Sequence, residues 1–322
     1  MSNQSKVIDA AAQEIVRYIE ETGFKFERGN ALKYFTHISR VNAGLTLSIV
    51  PEEMFGTVLT LKNYYALWNF TVDDEIDREG TCVHLDASLQ VLMHRTGRQP
   101  GMPQVQGSSA TRALIHGLLT KLDALPLDRD SYKGRLREMF YFDLLGLMCG
   151  FKYEYTIGQI SQAAPSNEYF KYATMVGSIG SYLDLDCLFS NRELQPASYR
   201  NLRKAYEHFA HAFRYASDVG SLGRELMEAN SANLIRLLAL ESGVEKVAHK
   251  VTQEQFKDVA PSLAPFLQHA HDQATKSLKE GREALSDITD IHNVKVDTES
   301  VASTAHDIVH GYFERDLFFW GK

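Results

Sequence analysis

The stretch PEEMFGTVLTLKNYYALWNFTVDDEIDRE, from Pro51 to Glu79, decides how the rest of the chain is read. Pro51 sits where a helix should start, because the amide that proline lacks would have no partner in the first turn. The apolar pattern then runs unbroken to about Glu79, far longer than a strand. Working outward, Ser5 to Glu21 places Val7, Ala11, Ile15 and Ile19 on one face. Thr96 to Ser109 carries Pro100, Pro103 and three glycines and reads as a loop. Pro165-Ser166-Asn167-Glu168 reads as a loop and helix cap. Further helices are expected at 109–124, 130–155, 167–190, 197–228, 231–242, 252–286 and 298–319. No alternating strand with flanking turn signals is present. The expectation is an all-α, single-domain bundle of about ten or more helices over residues 1–322, packed around one core.

Composition narrows the rest. The chain has 322 residues, with 44% hydrophobic and 23% charged, so disorder and collagen-like structure are excluded. No apolar run approaches the length of a membrane span. The N-terminus has no cationic start followed by an apolar stretch, as a secretion signal would. Cys82, Cys149 and Cys187 are scattered and odd in number, which argues against a disulfide framework. Cys149 and Cys187 read as small core residues, and the compartment as reducing and cytoplasmic. A net charge of −7 without a dense basic run makes nucleic acid an unsuitable partner.

Two acidic clusters carry the chemistry. Asp73 and Asp77 lie four apart on one helical face, about 40° apart around the axis. Their repulsion disfavours the bare helix. A hard divalent cation would offset it, since Mg²⁺ takes carboxylate oxygens and shares its other positions with phosphate and water. The alternative is a solvated acidic helix end capped by Arg78. Phe70, one turn earlier, reads as a pocket wall or plain core. In the second cluster Ser217, Ser221 and Glu225 fall at i, i+4 and i+8, an oxygen-bearing stripe two turns long. Arg224 flanks it and could meet an anion held by the metal. The alternative there is a polar surface face.

Together these segments resemble the metal motifs of class I terpene synthases, an aspartate-rich DDxxD and an NDxxSxxxE-type motif. Asp73, Asp74 and Asp77 match the first; Asp218, Ser221 and Glu225 match the second, with Arg224 as its basic residue. Asn233-Leu234-Ile235 resembles the stretch that follows. Tyr153-Glu154 and Pro165 to Tyr169 resemble the lead into a kinked central helix, and Gly177 falls where its effector glycine is expected. Three positions depart from the pattern. Ser217 replaces the usual Asn or Asp ligand. Ala173 stands at the diphosphate-sensing arginine, leaving Lys171 or an arginine of another helix to substitute. The C-terminal Arg-Tyr pair is approximated only by Tyr312 and Arg315.

The resemblance implies an active site that ionises an isoprenyl diphosphate. Asp73, Asp74, Asp77, Ser217, Ser221 and Glu225 would hold Mg²⁺, three ions in the family. Asp73, Asp77, Glu225 and Gly177 would act in catalysis. Arg224, with Lys171 or Arg315 and Tyr312, would bind the diphosphate. Phe70 and Phe213 would face a dry cavity and stabilise the carbocation by about 0.5–2 kcal/mol each. Trp68 reads as core. The activity implied is a cyclase acting on an acyclic substrate, C15 or C20 favoured; a prenyl-chain-elongating transferase and an inactive helical homologue are the alternatives. A homodimer is left open. His208 and His211, three apart, read as a satisfied or exposed pair, and Asp184 and Asp186 as structural.

Overall fold

Segments that are long, apolar on broad faces and poor in proline fold here as helices laid against one another. The computed structural model describes residues 3–24, 26, 28–97, 109–125, 127–128, 130–159, 164–177, 179–227 and 232–314. Among these, the elements in order are α1 (Asn3–Thr22), α2 (Ala31–Gly44), α3 (Glu52–Asp74), a π-helical turn (Glu75–Glu79), α4 (Val83–Arg95), α5 (Ser109–Asp123) and α6 (Tyr132–Gln159). There follow α7 (Ser166–Val176), α8 (Gly180–Phe189), α9 (Pro196–Met227), α10 (Leu234–Glu241), a 3₁₀ turn (Glu245–Val247), α11 (Gln253–Ala284) and α12 (Glu299–Phe313). The described residues contain no strand, only the isolated bridges Leu194–Asp290 and Thr289–Lys295. The fold is all-α. No described helix is long and apolar enough to cross a membrane.

Several elements differ from the sequence expectation. Helices α2 and α4 were not anticipated. The inward face of α2 carries Ser39 and Asn42 beside Phe35, so its apolar period is broken. Those two side chains are satisfied by Asn63 of α3, through Asn42 Nδ2 to Asn63 Oδ1 at 2.9 Å and Asn63 Nδ2 to Ser39 Oγ at 2.8 Å. The helix expected over 167–190 is two helices, the first ending at Val176 and the second starting at Gly180. Most of the proline-rich loop expected at 96–109 lies outside the described residues. Cys187 is buried, as expected, but Cys149 is exposed on the outer face of α6 and is not a core residue.

Helix α3 runs through the main core. Trp68 is fully buried, and its indole N–H donates to Ser88 Oγ of α4 at 2.7 Å, which confirms it as core. Six residues earlier, Lys62 pairs with Asp186 of α8 at 2.8 Å, both side chains inaccessible. Lys62 Nζ also donates to Leu45 C=O and Thr46 Oγ1, and Asp186 accepts from the Leu47 amide. The pair therefore pins the α2–α3 connection to α8. Burial pushes the Lys62 ammonium down and the Asp186 carboxyl up to about 6, and each opposes the shift of the other. Asp184 is likewise structural, bonded by Tyr199 and by Arg203. Lys62→Met should cost about 3–5 kcal/mol, because it strands a buried carboxylate. The Lys62→Met/Asp186→Asn double variant should recover most of that loss in denaturant titrations; equal loss in both would contradict the pairing.

Helix α9 packs along α11 and against α12 and α8. Its C-terminal half carries the second acidic cluster. The π turn that follows α3 meets it through Asp77 and Arg224, and α7 and α8 pack beside it.

Candidate active site

The first cluster sits where α3 changes character. At Glu75–Glu79 the backbone widens into a π turn and stops at Gly80, whose φ of 63° is left-handed and suits glycine. Such π turns recur at functional sites. Glu75 is buried and fixes the next helix, accepting from the His84 amide at 2.8 Å and from Thr81 Oγ1 at 3.0 Å. Asp73, 38% exposed, meets Arg28 at 2.6 Å, and Asp77, 23% exposed, meets Arg224 at 3.7 Å. Asp74 points to the flank, paired with Arg28 at 2.8 Å and with Arg78 at 3.1 Å. Arg78 is thus a partner of this helix end, as the simpler reading of the cluster expected.

Arg28, from the α1–α2 connection, was not singled out in the sequence. Its Nη2 lies 2.6 Å from Asp73 Oδ2 and 3.3 Å from the Phe70 carbonyl oxygen. Its guanidinium carbon stands 4.6 Å from the Phe70 ring centroid. Phe70 packs edge-on to Tyr34 of α2, at 5.5 Å between centroids. Phe70 is therefore half-buried against Arg28 and Tyr34 at the rim of the carboxylates.

The second cluster faces the first across the helices. Arg224 of α9 reaches Asp77 Oδ2 at 3.7 Å and Glu225 Oε1 at 3.3 Å, so one guanidinium links the two acidic motifs. Glu225 is buried, and its Oε2 accepts from Asn233 Nδ2 at 2.6 Å. Asn233 also caps α10, accepting from the Ile235 amide, and donates to the Asp218 carbonyl at 2.7 Å. Ser217 and Ser221 are half-buried on the same stripe; Ser221 Oγ donates to the Ser217 carbonyl at 2.7 Å. Asp218 points the other way. It is fully buried, pairs with Arg214, and accepts from the Leu234 amide at 3.1 Å. Arg214 also meets Glu154 of α6 at 3.1 Å and lies over the Tyr169 ring.

The remaining expected residues divide. Tyr312 of α12 covers Gly220, one residue before Ser221: a Cβ there would lie 3.0 Å from the Tyr312 ring, so the helices need glycine to approach. Phe213 packs with Ala216, Val309 and Tyr312. Gly177 ends α7 and begins the interruption before α8. Ala173 is fully buried among Tyr169, Leu234 and Leu237. Lys171 is exposed, its Nζ 5.5 Å from the Tyr172 ring, and is not brought to the carboxylates. Arg315 lies outside the described residues. His208 pairs with Glu280 of α11 at 3.4 Å, consistent with a satisfied surface pair. Glu154, Arg214 and Arg28 are the groups that sequence reasoning missed; the clue available was Glu154 beside the segment leading to the central helix.

The electrostatics are those of crowded carboxylates. Burial, then Asp73 and Glu225, push the Asp77 carboxyl well above its usual range, against Arg224. Burial raises Glu154 to about 8, opposed by Arg214, and raises Glu225 to about 7, opposed by Arg224. The donors are all oxygens, and their uncompensated repulsion is what a hard cation would relieve. That donor chemistry fits Mg²⁺. Among the described residues, however, no three acidic, His or Cys side chains converge on one point. Arginines stand between them instead. The raised values fix a sign. At Asp77, Glu154 and Glu225 the folded state holds more protons than the unfolded chain above pH about 4.5, so the contribution of these groups to stability falls as pH rises from there through about 8. Metal-free protein should melt at lower temperature at pH 8.5 than at pH 6, and Mg²⁺ with inorganic diphosphate should shrink the difference; an opposite slope would contradict the crowding.

No family model and no curated protein matches the chain. Solved structures do. The chain is similar to linalool/nerolidol synthase from Streptomyces clavuligerus in complex with 2-fluorogeranyl diphosphate, at 13% identity and TM-score 0.58 over 98% of each chain. It is similar to 2-methylisoborneol synthase from Streptomyces coelicolor A3(2), in complex with Mg²⁺ and geranyl-S-thiolodiphosphate, at 15% identity and TM-score 0.53, covering 97% of this chain and 94% of that one. It is also similar to geranylgeranyl pyrophosphate synthetase from the archaeon Geoglobus acetivorans, at 14% identity and TM-score 0.53 over 98% and 99%. At these identities the likeness concerns architecture: the chain has the all-α fold shared by class I terpene synthases and a prenyl diphosphate synthetase.

Proposed function

We propose that this chain is a Mg²⁺-dependent terpene cyclase that ionises an acyclic isoprenyl diphosphate and closes the carbocation to a cyclic hydrocarbon or alcohol. The observation that carries the reading is Arg224 spanning Asp77 and Glu225, which brings the two acidic motifs, far apart in sequence, to one place. In ionisation the allylic C–O bond breaks and its electron pair leaves on the diphosphate oxygen. Mg²⁺ bound by Asp73, Asp77, Ser217, Ser221 and Glu225, three ions by the resemblance, would neutralise that developing charge. Arg224 would donate charge-assisted hydrogen bonds to the leaving group. Asn233 holds the Glu225 carboxylate in one orientation. Phe70 and Phe213 would offer ring faces to the cation, and Gly177 would place a helix end against it. Asp74, taken up by two arginines, would support the first motif from its flank.

A chain-elongating transferase is the second reading, favoured by the likeness to the archaeal synthetase. It would use the same ionisation and then join a C5 diphosphate. The test is purified protein in Mg²⁺ with C10, C15 and C20 allylic diphosphates, each with and without isopentenyl diphosphate, the extracts read by gas chromatography–mass spectrometry. A cyclic product from one allylic diphosphate alone is expected. A longer chain formed only with the C5 partner would replace the cyclase by the transferase. No diphosphate release from folded protein would leave a non-enzymatic homologue.

A further inference from the structure

We propose that Arg28 serves two anions in turn, the Asp73 and Asp74 carboxylates in the free protein and the substrate diphosphate once cations neutralise the first motif. The assignment rests on the functional reading above. It begins with a shortage. The position expected to sense diphosphate is the buried Ala173, and Lys171 projects away over Tyr172. Four arginines touch the described carboxylates of the site: Arg28, Arg78, Arg214 and Arg224. Arg214 is enclosed by Glu154, Asp218 and the Tyr169 ring. Arg78 meets only the flanking Asp74 among them. Arg28 and Arg224 are left, one at Asp73 and the other at Asp77, at the two ends of the first motif.

Arg28 now occupies oxygens that a cation would need. Its Nη2 holds Asp73 Oδ2, and its Nε and Nη2 hold both Asp74 oxygens. A cation bound by Asp73 removes one of the two carboxylates that hold Nη2. Asp74 keeps Arg78 and needs no second arginine. The planar fork of Arg28, still braced on the Phe70 ring, is then free to meet a diphosphate bidentately. The attachment of Arg28 suits such an exchange. It precedes Gly29, whose φ of 91° is left-handed and whose Cβ position has no neighbour within 4 Å, so the connection is unhindered beside it.

The exchange predicts two effects of opposite sign. In Arg28→Gln, Mg²⁺ alone should bind about 3–10-fold more tightly by calorimetry, because its competitor for Asp73 is gone. In saturating Mg²⁺, inorganic diphosphate should bind about 10–100-fold more weakly, because a charged hydrogen-bond donor is lost. Arg28→Lys, a point charge without the fork, should restore the metal affinity and only part of the diphosphate affinity. Circular dichroism checks that each variant is folded. Weakening of both affinities, or no change in either, overturns the proposal and leaves Arg28 a packing residue. Wild-type protein that binds no diphosphate in Mg²⁺ contradicts the functional reading itself and removes this one with it.

Discussion

Glu225→Gln should lower turnover of an allylic diphosphate by about a thousandfold while leaving the protein as stable as before, or more so. The two halves of this result have one cause. Burial raises the Glu225 carboxyl to about 7 against Arg224 and Arg214, so its charge is unfavourable in the metal-free fold. The glutamine keeps an oxygen for Asn233 Nδ2 and removes the repulsion with Asp77. What it cannot do is anchor a cation, and loss of a metal ligand removes several kcal/mol of transition-state stabilisation. Turnover and thermal melts at pH 8 check both. Undiminished turnover would remove Glu225 from the metal site; a large loss of stability would show that its charge supports the fold.

Arg214→Met should destabilise the protein by about 3–5 kcal/mol at pH 8.5. Arg214 is the counter-charge of two buried acids, Asp218 and Glu154, and its removal leaves both uncompensated. The cost should be smaller at pH 5.5. Both carboxyls are raised by burial even with the arginine present, Glu154 to about 8, and without it they take up protons more readily. A neutral acid needs no counter-ion, so the stability gap between variant and wild type should narrow as pH falls. Equal destabilisation at both values would mean that Arg214 acts through packing, by its stem and its contact with Tyr169, and not through charge.

These variants also show what could be read from the chain. The helices were legible because apolar residues recur at helical spacing over long runs, as in α3 and α9. Helix α2 was not, since its buried face satisfies Ser39 and Asn42 with Asn63 across the core, a pairing invisible to periodicity. In the site, Ser217, Ser221 and Glu225 could be proposed because they lie on one α-helix, where spacing fixes the face; Asp73 and Asp77 could be proposed from the same spacing, although Asp77 falls in the π turn that follows α3. Arg28 and Glu154 could not. They reach the site from the α1–α2 connection and from α6, and only the packing of those elements brings them near. Lys171 shows the converse: the right charge near the right position, turned outward by a face that buries Tyr169 and Ala173.

By the proposed function, the two acidic motifs hold one set of cations between them. Crystals grown with Mn²⁺ in place of Mg²⁺, together with inorganic diphosphate, test it most directly through the anomalous signal of the metal. Peaks are expected between Asp73 and Asp77, at the end of α3 and in the π turn, and the Ser217–Ser221–Glu225 stripe of α9, with Arg224 turned to the diphosphate. Peaks confined to one motif, or diphosphate bound away from both with no metal between them, would contradict it.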